Sequence, residues 1–116
     1  MEWKFEVVAG PYAFTEGPIW KEGGILFTDI PYSRIMRYDP KTGKCDEFRT
    51  STNGANGLAL DKENRVYAAE GTFLPTAKKF VDGPGRRIAR YESDGSTTPI
   101  AETFERKRIN SPNDLT

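Results

Sequence analysis

Short runs of apolar and β-branched residues alternate with turn-forming residues along the chain. Residues 25–29, 34–39 and 45–49 have the length and composition of β-strands. Glycine, proline and polar residues separate these runs, as at residues 22–24 and 39–43. No stretch sustains the 3.6-residue period of an amphipathic helix. The pattern therefore predicts an all-β fold.

The same sequence pattern returns along the chain. Residues 16–20, Glu-Gly-Pro-Ile-Trp, align with residues 56–60, Asn-Gly-Leu-Ala-Leu, at an offset of 40. The same offset places residues 26–28, Leu-Phe-Thr, over residues 66–68, Val-Tyr-Ala. A regular return of this length indicates repeated structural units rather than a set of unrelated strands.

The second copy contains an insertion. Residues 87–92, Arg-Ile-Ala-Arg-Tyr-Glu, match residues 34–39, Arg-Ile-Met-Arg-Tyr-Asp, at an offset of 53, which leaves 13 extra residues between the second and third strands. We place the insertion at about residues 71–83. Insertions between strands are tolerated as loops, and loops of this length often border binding sites. We therefore expect a mobile loop at the rim of the propeller channel, bordering the substrate entrance.

Four short strands repeated about every 40 residues are typical of a β-propeller blade. Blade one would span about residues 16–50, blade two about 56–103, and a third blade would begin at about 112–116. A β-sandwich also has closely spaced strands, but it does not require the same sequence to return at the same strand. We predict that residues 1–116 are the N-terminal portion of a single propeller domain. Since propellers have about four to eight blades, we expect a fragment that is inactive alone.

The composition excludes several kinds of catalytic and metal-binding arrangement within this chain. The chain is 36% hydrophobic and 29% charged, which is typical of globular proteins. It has no histidine, and Cys45 is its single cysteine, so it offers no Ser-His-Asp arrangement, thiolate cluster or internal disulfide. We expect Cys45 to be a buried or half-buried structural thiol. The remaining carboxylates and amides are oxygen ligands, which favour hard cations.

The charges are balanced, with 17 basic and 17 acidic residues. Such a chain lacks the general positive field that attracts phosphate backbones or anionic lipid, so we expect neither a nucleic-acid nor a membrane partner. The N-terminus alternates charged and apolar residues, unlike a signal peptide, and no apolar run approaches the roughly 18 residues of a membrane span. These features favour a cytoplasmic protein.

Three repeat-equivalent residues form the candidate site. Equivalent positions of successive blades converge on the propeller axis, so Glu16, Asn56 and Asn113 should face one another near one mouth of the central channel. One carboxylate and two amides suit Ca²⁺ or Mg²⁺, and the amides can also hold substrate. Simpler explanations exist: Glu16 as a solvated loop carboxylate, Asn56 as part of an Asn-Gly turn, and Asn113 as part of a turn.

Other polar residues have structural explanations. We expect Asp114 to cap or brace its loop. Glu70 can face the channel or pair with Arg86 or Arg87, and we favour pairing. The basic run at residues 106–108, Arg-Lys-Arg, is typical of a solvated face.

Several ordered motifs carry a family resemblance. Residues 16–20, 26–29 and 34–43 resemble the opening of the senescence marker protein, gluconolactonase and luciferin-regenerating enzyme family. Residues 53–61 look like its bacterial gluconolactonase branch, and so do residues 107–116, whose last six residues are Ser-Pro-Asn-Asp-Leu-Thr. The resemblance covers nearly the whole chain apart from the insertion.

The resemblance implies a six-bladed propeller with a divalent metal in the central channel. Ca²⁺ is the expected cation, with Mg²⁺, Zn²⁺ or Mn²⁺ as alternatives. The family's first metal carboxylate falls on Glu16, and the Asn of its Pro-Asn-Asp motif falls on Asn113, as a metal ligand or a contact through water and substrate. Asn56 is a further candidate for substrate binding. The animal branch has a substrate-contacting arginine where this chain has Ser111, and Arg108 is a loose substitute.

The activity implied for the complete protein is hydrolysis of a sugar lactone, with gluconolactone as the family's usual substrate. The metal would polarise the ring carbonyl, and a carboxylate would take a proton from the attacking water. The family's remaining ligands and its base fall outside residues 1–116. Two alternatives remain open: a related propeller esterase or phosphoesterase, and a non-catalytic binding propeller.

Overall fold

A computed structural model describes residues 1–71, 73–74, 79–80 and 85–116. The first sheet has four antiparallel strands in chain order: β1 (Thr15–Lys21), β2 (Gly24–Asp29), β3 (Arg34–Asp39) and β4 (Lys44–Arg49). A short 3₁₀ turn, Ile30–Tyr32, joins β2 to β3. Each strand pairs with the next along the chain, which is the up-and-down arrangement of a propeller blade.

The second sheet repeats this arrangement. Its strands are β5 (Ala55–Leu60), β6 (Val66–Glu70), β9 (Arg87–Tyr91) and β10 (Thr97–Ala101). Two short strands, β7 (Phe73–Leu74) and β8 (Lys79–Phe80), pair with each other between β6 and β9. A last hairpin joins β11 (Thr103–Phe104) to β12 (Lys107–Arg108). The prediction of an all-β propeller fold is confirmed.

The two blades pack face to face. Leu26 on β2 lies two residues before Thr28, and Thr28 pairs with Ile35 on β3, so Leu26 and Ile35 lie on the same face of the sheet. Both are fully buried in the core shared with the second blade. Burying an aliphatic side chain of this size contributes about 2 kcal/mol. The second blade completes the core with Ala55, Leu58, Val66, Ala68, Ala89 and Tyr91.

The strand register corrects the repeat alignment by one residue. Ile25 pairs with Tyr38, and Val66 pairs with Tyr91. Because the two tyrosines are repeat-equivalent, Ile25 corresponds to Val66, at an offset of 41 rather than 40. The turn between β5 and β6 is one residue longer than the turn between β1 and β2, and this extra residue shifts β6. The offset of 53 for β9 is unchanged, so 12 rather than 13 extra residues separate β6 from β9.

The predicted insertion lies between β6 and β9, which pair directly with each other. Of residues 71–83, the structure describes Gly71 and the backbone of the two short strands; the rest lie outside the described residues. Its place at the rim and its mobility therefore stay predictions. Within the part of the chain that the structure describes, no helix has the length and apolar character needed to cross a membrane.

Candidate functional site

The three repeat-equivalent residues line one cavity. Glu16, Asn56 and Asn113 border a space of about 350 Å³, whose apolar wall includes Ile19 and Leu58. Glu16 and Asn113 are exposed, and Asn56 is half-buried, so ligands can reach all three. The structure thus brings together the residues that the repeat predicted would meet, whereas their roles in binding stay predictions.

Both inner strands depart from regular pairing at these residues. The register of β1 with β2 shifts between Glu16 and Ile19, and that of β5 with β6 shifts between Ala55 and Leu58. Such bulges change the direction of side chains and occur often beside active sites. These bulges were not predicted from the sequence, although the Gly after Glu16 and the Gly after Asn56 are the local signal for such a feature.

Two glycines allow the blades to approach closely at the site. A Cβ on Gly17 would lie 2.5 Å from the carbonyl oxygen of Asn56, and the φ of Gly17 is +56°. A Cβ on Gly57 would lie 2.6 Å from the carbonyl oxygen of Asn113 and 2.6 Å from Oδ1 of Asp114. Each glycine therefore makes room for the site asparagine of the following copy.

Hydrogen bonds join the same backbones. The Thr28 hydroxyl lies 3.0 Å from the carbonyl oxygen of Glu16 and 3.0 Å from that of Asn56. The amide of Gly57 donates to the carbonyl oxygen of Asn113 at 2.7 Å. The backbones of the three site residues are thus connected from blade to blade. Thr28 is not among the site residues predicted from the sequence.

Two other predicted residues lie differently with respect to this cavity. Arg108 is exposed on β12 and is not part of the cavity wall, so its contact with substrate stays a prediction. Asp114 accepts a hydrogen bond from the amide of Leu115 at 2.9 Å, which confirms that it braces its loop. Asp114 also lines the cavity, which the sequence did not predict.

The cavity offers oxygen donors of the kind that hard cations bind. Glu16 supplies a carboxylate, and Asn56 and Asn113 supply amide oxygens. Among the residues that the structure describes, no cluster of three or more His, Cys, Asp or Glu side chains is arranged to hold a metal ion. The donors therefore fit Ca²⁺ or Mg²⁺ in chemical type but supply only part of the six to eight ligands that Ca²⁺ takes.

Glu70 makes a structural ion pair. Its carboxylate is 1% exposed and accepts a hydrogen bond from Nε of Arg87 at 2.7 Å, so the expected pairing is confirmed. In the first blade, Asp29 pairs with Arg34 at 2.9 Å and is fully buried. With the corrected register, Asp29 corresponds to Glu70, so an acid–arginine pair recurs once in each blade. The alignment at an offset of 40 concealed this repeat.

The hydroxyl of Tyr91 completes the surroundings of Glu70. It donates to Oε1 of Glu70 at 2.8 Å and lies 3.2 Å from the carbonyl oxygen of Thr52. Burial, together with the charge of Glu70, raises the pKa of Tyr91, so this phenol remains a neutral donor. The Arg49 guanidinium of the first blade covers the Tyr91 ring at 4.3 Å. This network joins the blades and satisfies a buried charge.

Cys45 is half-buried, as expected. Its sulfur accepts a hydrogen bond from the Tyr12 hydroxyl at 3.0 Å. That hydrogen bond, with burial, raises the pKa of Tyr12 to about 12. The thiol therefore lies in a structural contact between β4 and the N-terminal segment.

Comparison with known proteins shows the class of the chain. The family described as SMP-30/Gluconolactonase/LRE-like region matches residues 14–116, so the chain belongs to this family, and the predicted resemblance is confirmed. Among individual proteins, it is 26% identical over 124 aligned positions to a gluconolactonase of Zymomonas mobilis, covering 95% of this chain and 32% of that protein. It is 31% identical over 90 positions to regucalcin of Xenopus laevis, covering 76% of this chain and 29% of that protein.

A solved structure shares the fold. The gluconolactonase of Xanthomonas campestris superposes with a TM-score of 0.75 at 26% identity, covering 93% of this chain and 33% of that one. The chain thus spans about one third of the length of each of these relatives.

Proposed function

We propose that the protein to which this chain belongs hydrolyses a sugar lactone, with gluconolactone as the first substrate to test. The observation that carries the proposal is the meeting of Glu16, Asn56 and Asn113 in one cavity. Two of the similar proteins are gluconolactonases, which supports the same substrate class.

Glu16 and Asn113 would hold a divalent cation, with Ca²⁺ favoured over Mg²⁺, Zn²⁺ or Mn²⁺. A carboxylate and an amide oxygen are hard donors, which favour Ca²⁺ and Mg²⁺ over metals that prefer nitrogen or sulfur. The bound cation would supply Lewis acidity at the lactone carbonyl. The general base is not assigned to any residue of this chain.

Asn56 and Asn113 would orient the substrate. A side-chain amide donates through its NH₂ group and accepts through its oxygen, which matches the mixed character of sugar hydroxyls. The cavity volume of about 350 Å³ lies within the range of small-molecule sites. Its apolar wall, which includes Ile19 and Leu58, would exclude water from one side of the sugar ring.

The test, made in the complete protein, is the Glu16→Gln substitution, which keeps the side-chain shape and removes the charge. We expect Ca²⁺ affinity, measured by calorimetric titration, to fall at least about tenfold, because a neutral amide holds a cation less strongly than a carboxylate does. Hydrolysis of gluconolactone, followed by acid release, should fall with it and recover partly at high Ca²⁺. Asn113→Ala should lower activity with a smaller loss of affinity. Arg106→Ala, an exposed residue outside the cavity wall, is the control and should change neither quantity.

Each other outcome has a defined meaning. Normal Ca²⁺ binding and normal lactonase activity in Glu16→Gln would refute the metal site and favour a binding propeller. Normal Ca²⁺ binding with lost activity would assign Glu16 to substrate binding or proton transfer. Hydrolysis of aryl or phosphate esters without hydrolysis of lactones would refute the substrate class.

A further inference from the structure

Thr28 is a polar side chain in the buried interface between the blades. It lies on β2, is fully buried, and follows the half-buried Phe27 and the buried Leu26. Burying a hydroxyl is costly unless it forms hydrogen bonds. Here the single hydroxyl proton is shared between two acceptors, the carbonyl oxygens of Glu16 and Asn56, each 3.0 Å from Oγ1. The acceptors belong to two site residues on different blades.

The contact has a different form at the next blade junction. The corrected register places Ala69 at the position of Thr28, and alanine has no hydroxyl. There the amide of Gly57 donates to the carbonyl oxygen of Asn113 at 2.7 Å. At each junction, a donor from one blade thus holds the carbonyl of the next blade's site asparagine. At the first junction the donor is a side chain, so substitution can remove it.

We propose that Thr28 is a positioning residue for the site: its hydroxyl sets the spacing between Glu16 and Asn56 across the blade junction. This inference rests on the proposed function. Glu16 is still in register with β2, as the partner of Thr28, and the pairing becomes irregular directly after it, between Glu16 and Ile19. The Thr28 hydroxyl therefore adds a side-chain contact with the Glu16 carbonyl beside this irregularity, at the residue whose carboxylate must face the ligand.

The expected loss of Ca²⁺ affinity follows from the free energy that one hydrogen bond contributes. Thr28→Val keeps the shape of the side chain and removes the donor, which leaves the two carbonyls without it. Net hydrogen-bond contributions predict a loss of Ca²⁺ affinity of about twofold to tenfold if the bond holds Glu16 in its binding position. Thr28→Ser keeps the hydroxyl and loses only a methyl group, so its affinity should stay within about twofold of the unmodified protein.

The experiment uses the complete protein. It titrates Ca²⁺ alone into the two Thr28 variants and the unmodified protein, and then measures kcat and KM for gluconolactone. Tyr91→Phe is the matched control, because it also removes a buried hydroxyl at the blade interface, but one that bonds to Thr52 and Glu70. It should lose stability without losing Ca²⁺ affinity. Thr28→Val should bind Ca²⁺ more weakly than the unmodified protein, whereas Thr28→Ser should bind Ca²⁺ about as tightly as the unmodified protein.

The outcomes separate this inference from the proposed function. If the unmodified protein neither binds Ca²⁺ nor hydrolyses gluconolactone, the proposed function fails, and the inference falls with it. If the unmodified protein does both and Thr28→Val equals it, the inference alone is overturned. If Thr28→Val does not fold, Thr28→Ser decides, since an affinity loss above about twofold there would show that the hydroxyl is not the cause.

Discussion

The close approach of the blades at Gly17 predicts a large effect of one methyl group. Gly17 has φ +56°, so alanine there costs about 1–2 kcal/mol for the left-handed backbone. The new Cβ would also lie 2.5 Å from the carbonyl oxygen of Asn56, and relieving such overpacking costs about a further 1–3 kcal/mol. We therefore expect Gly17→Ala to lower the free energy of unfolding by about 2–5 kcal/mol.

Gly43→Ala is the matched control for the backbone cost. Gly43 has φ +71°, but, apart from Gly43 and its two chain neighbours, no atom of the described residues lies within 4 Å of the position its Cβ would take. It should lose only about 1–2 kcal/mol. Urea denaturation of the two variants beside the unmodified protein isolates the contact between the blades as the difference. Equal losses in the two variants would refute the packing argument. Because the new Cβ would displace the backbone of Asn56, Gly17→Ala should also lower Ca²⁺ affinity. Unchanged Ca²⁺ affinity would refute this link between the glycine and the site.

Two further predictions concern residues away from the cavity. Tyr91→Phe should lower the free energy of unfolding by about 1–3 kcal/mol in urea, because it removes a donor from the buried Glu70 carboxylate; a change below about 0.5 kcal/mol would contradict this. At Asp61, desolvation opposes ionisation, but hydrogen bonds from Arg65 and Tyr67 outweigh it and lower the pKa to about 2 from the ordinary 3.8. Because the folded pKa is the lower one, the stabilisation is present above about pH 4 and is lost as the pH falls towards 2. Asp61→Asn should therefore flatten the stability profile between about pH 4 and pH 2, and an unchanged acid slope would contradict this.

The strands and their repetition could be predicted because both depend on local sequence. Apolar runs between turn residues define the strands, and the return of Glu16-Gly17 as Asn56-Gly57 marks the start of each blade. Convergence of the site residues follows from repetition alone, because equivalent positions of neighbouring blades face the same axis. The prediction that Glu16, Asn56 and Asn113 meet therefore needed no knowledge of side-chain contacts.

The details that the sequence did not reveal depend on pairing between strands. One extra residue in the turn before β6 shifts the alignment of β6 with β2, and no local signal shows where that residue lies. The acid–arginine repeat of Asp29 with Arg34 and Glu70 with Arg87 is visible only after that correction. The Thr28 contacts were missed for a similar reason, since one of its acceptors lies 28 residues away on another blade.

The placement of the cavity residues implies where the protein is most sensitive to change. Glu16 and Asn56 belong to different blades, so neither blade alone contains the site. Their relative positions depend on the junction, which is held by the Thr28 hydroxyl and the absence of a side chain at Gly17. We expect packing changes inside one blade to alter stability first, because they leave the contacts across the junction in place. Changes at the junction alter the spacing of the donors directly. Ligand affinity should therefore respond to junction substitutions more strongly than the loss of stability alone would explain.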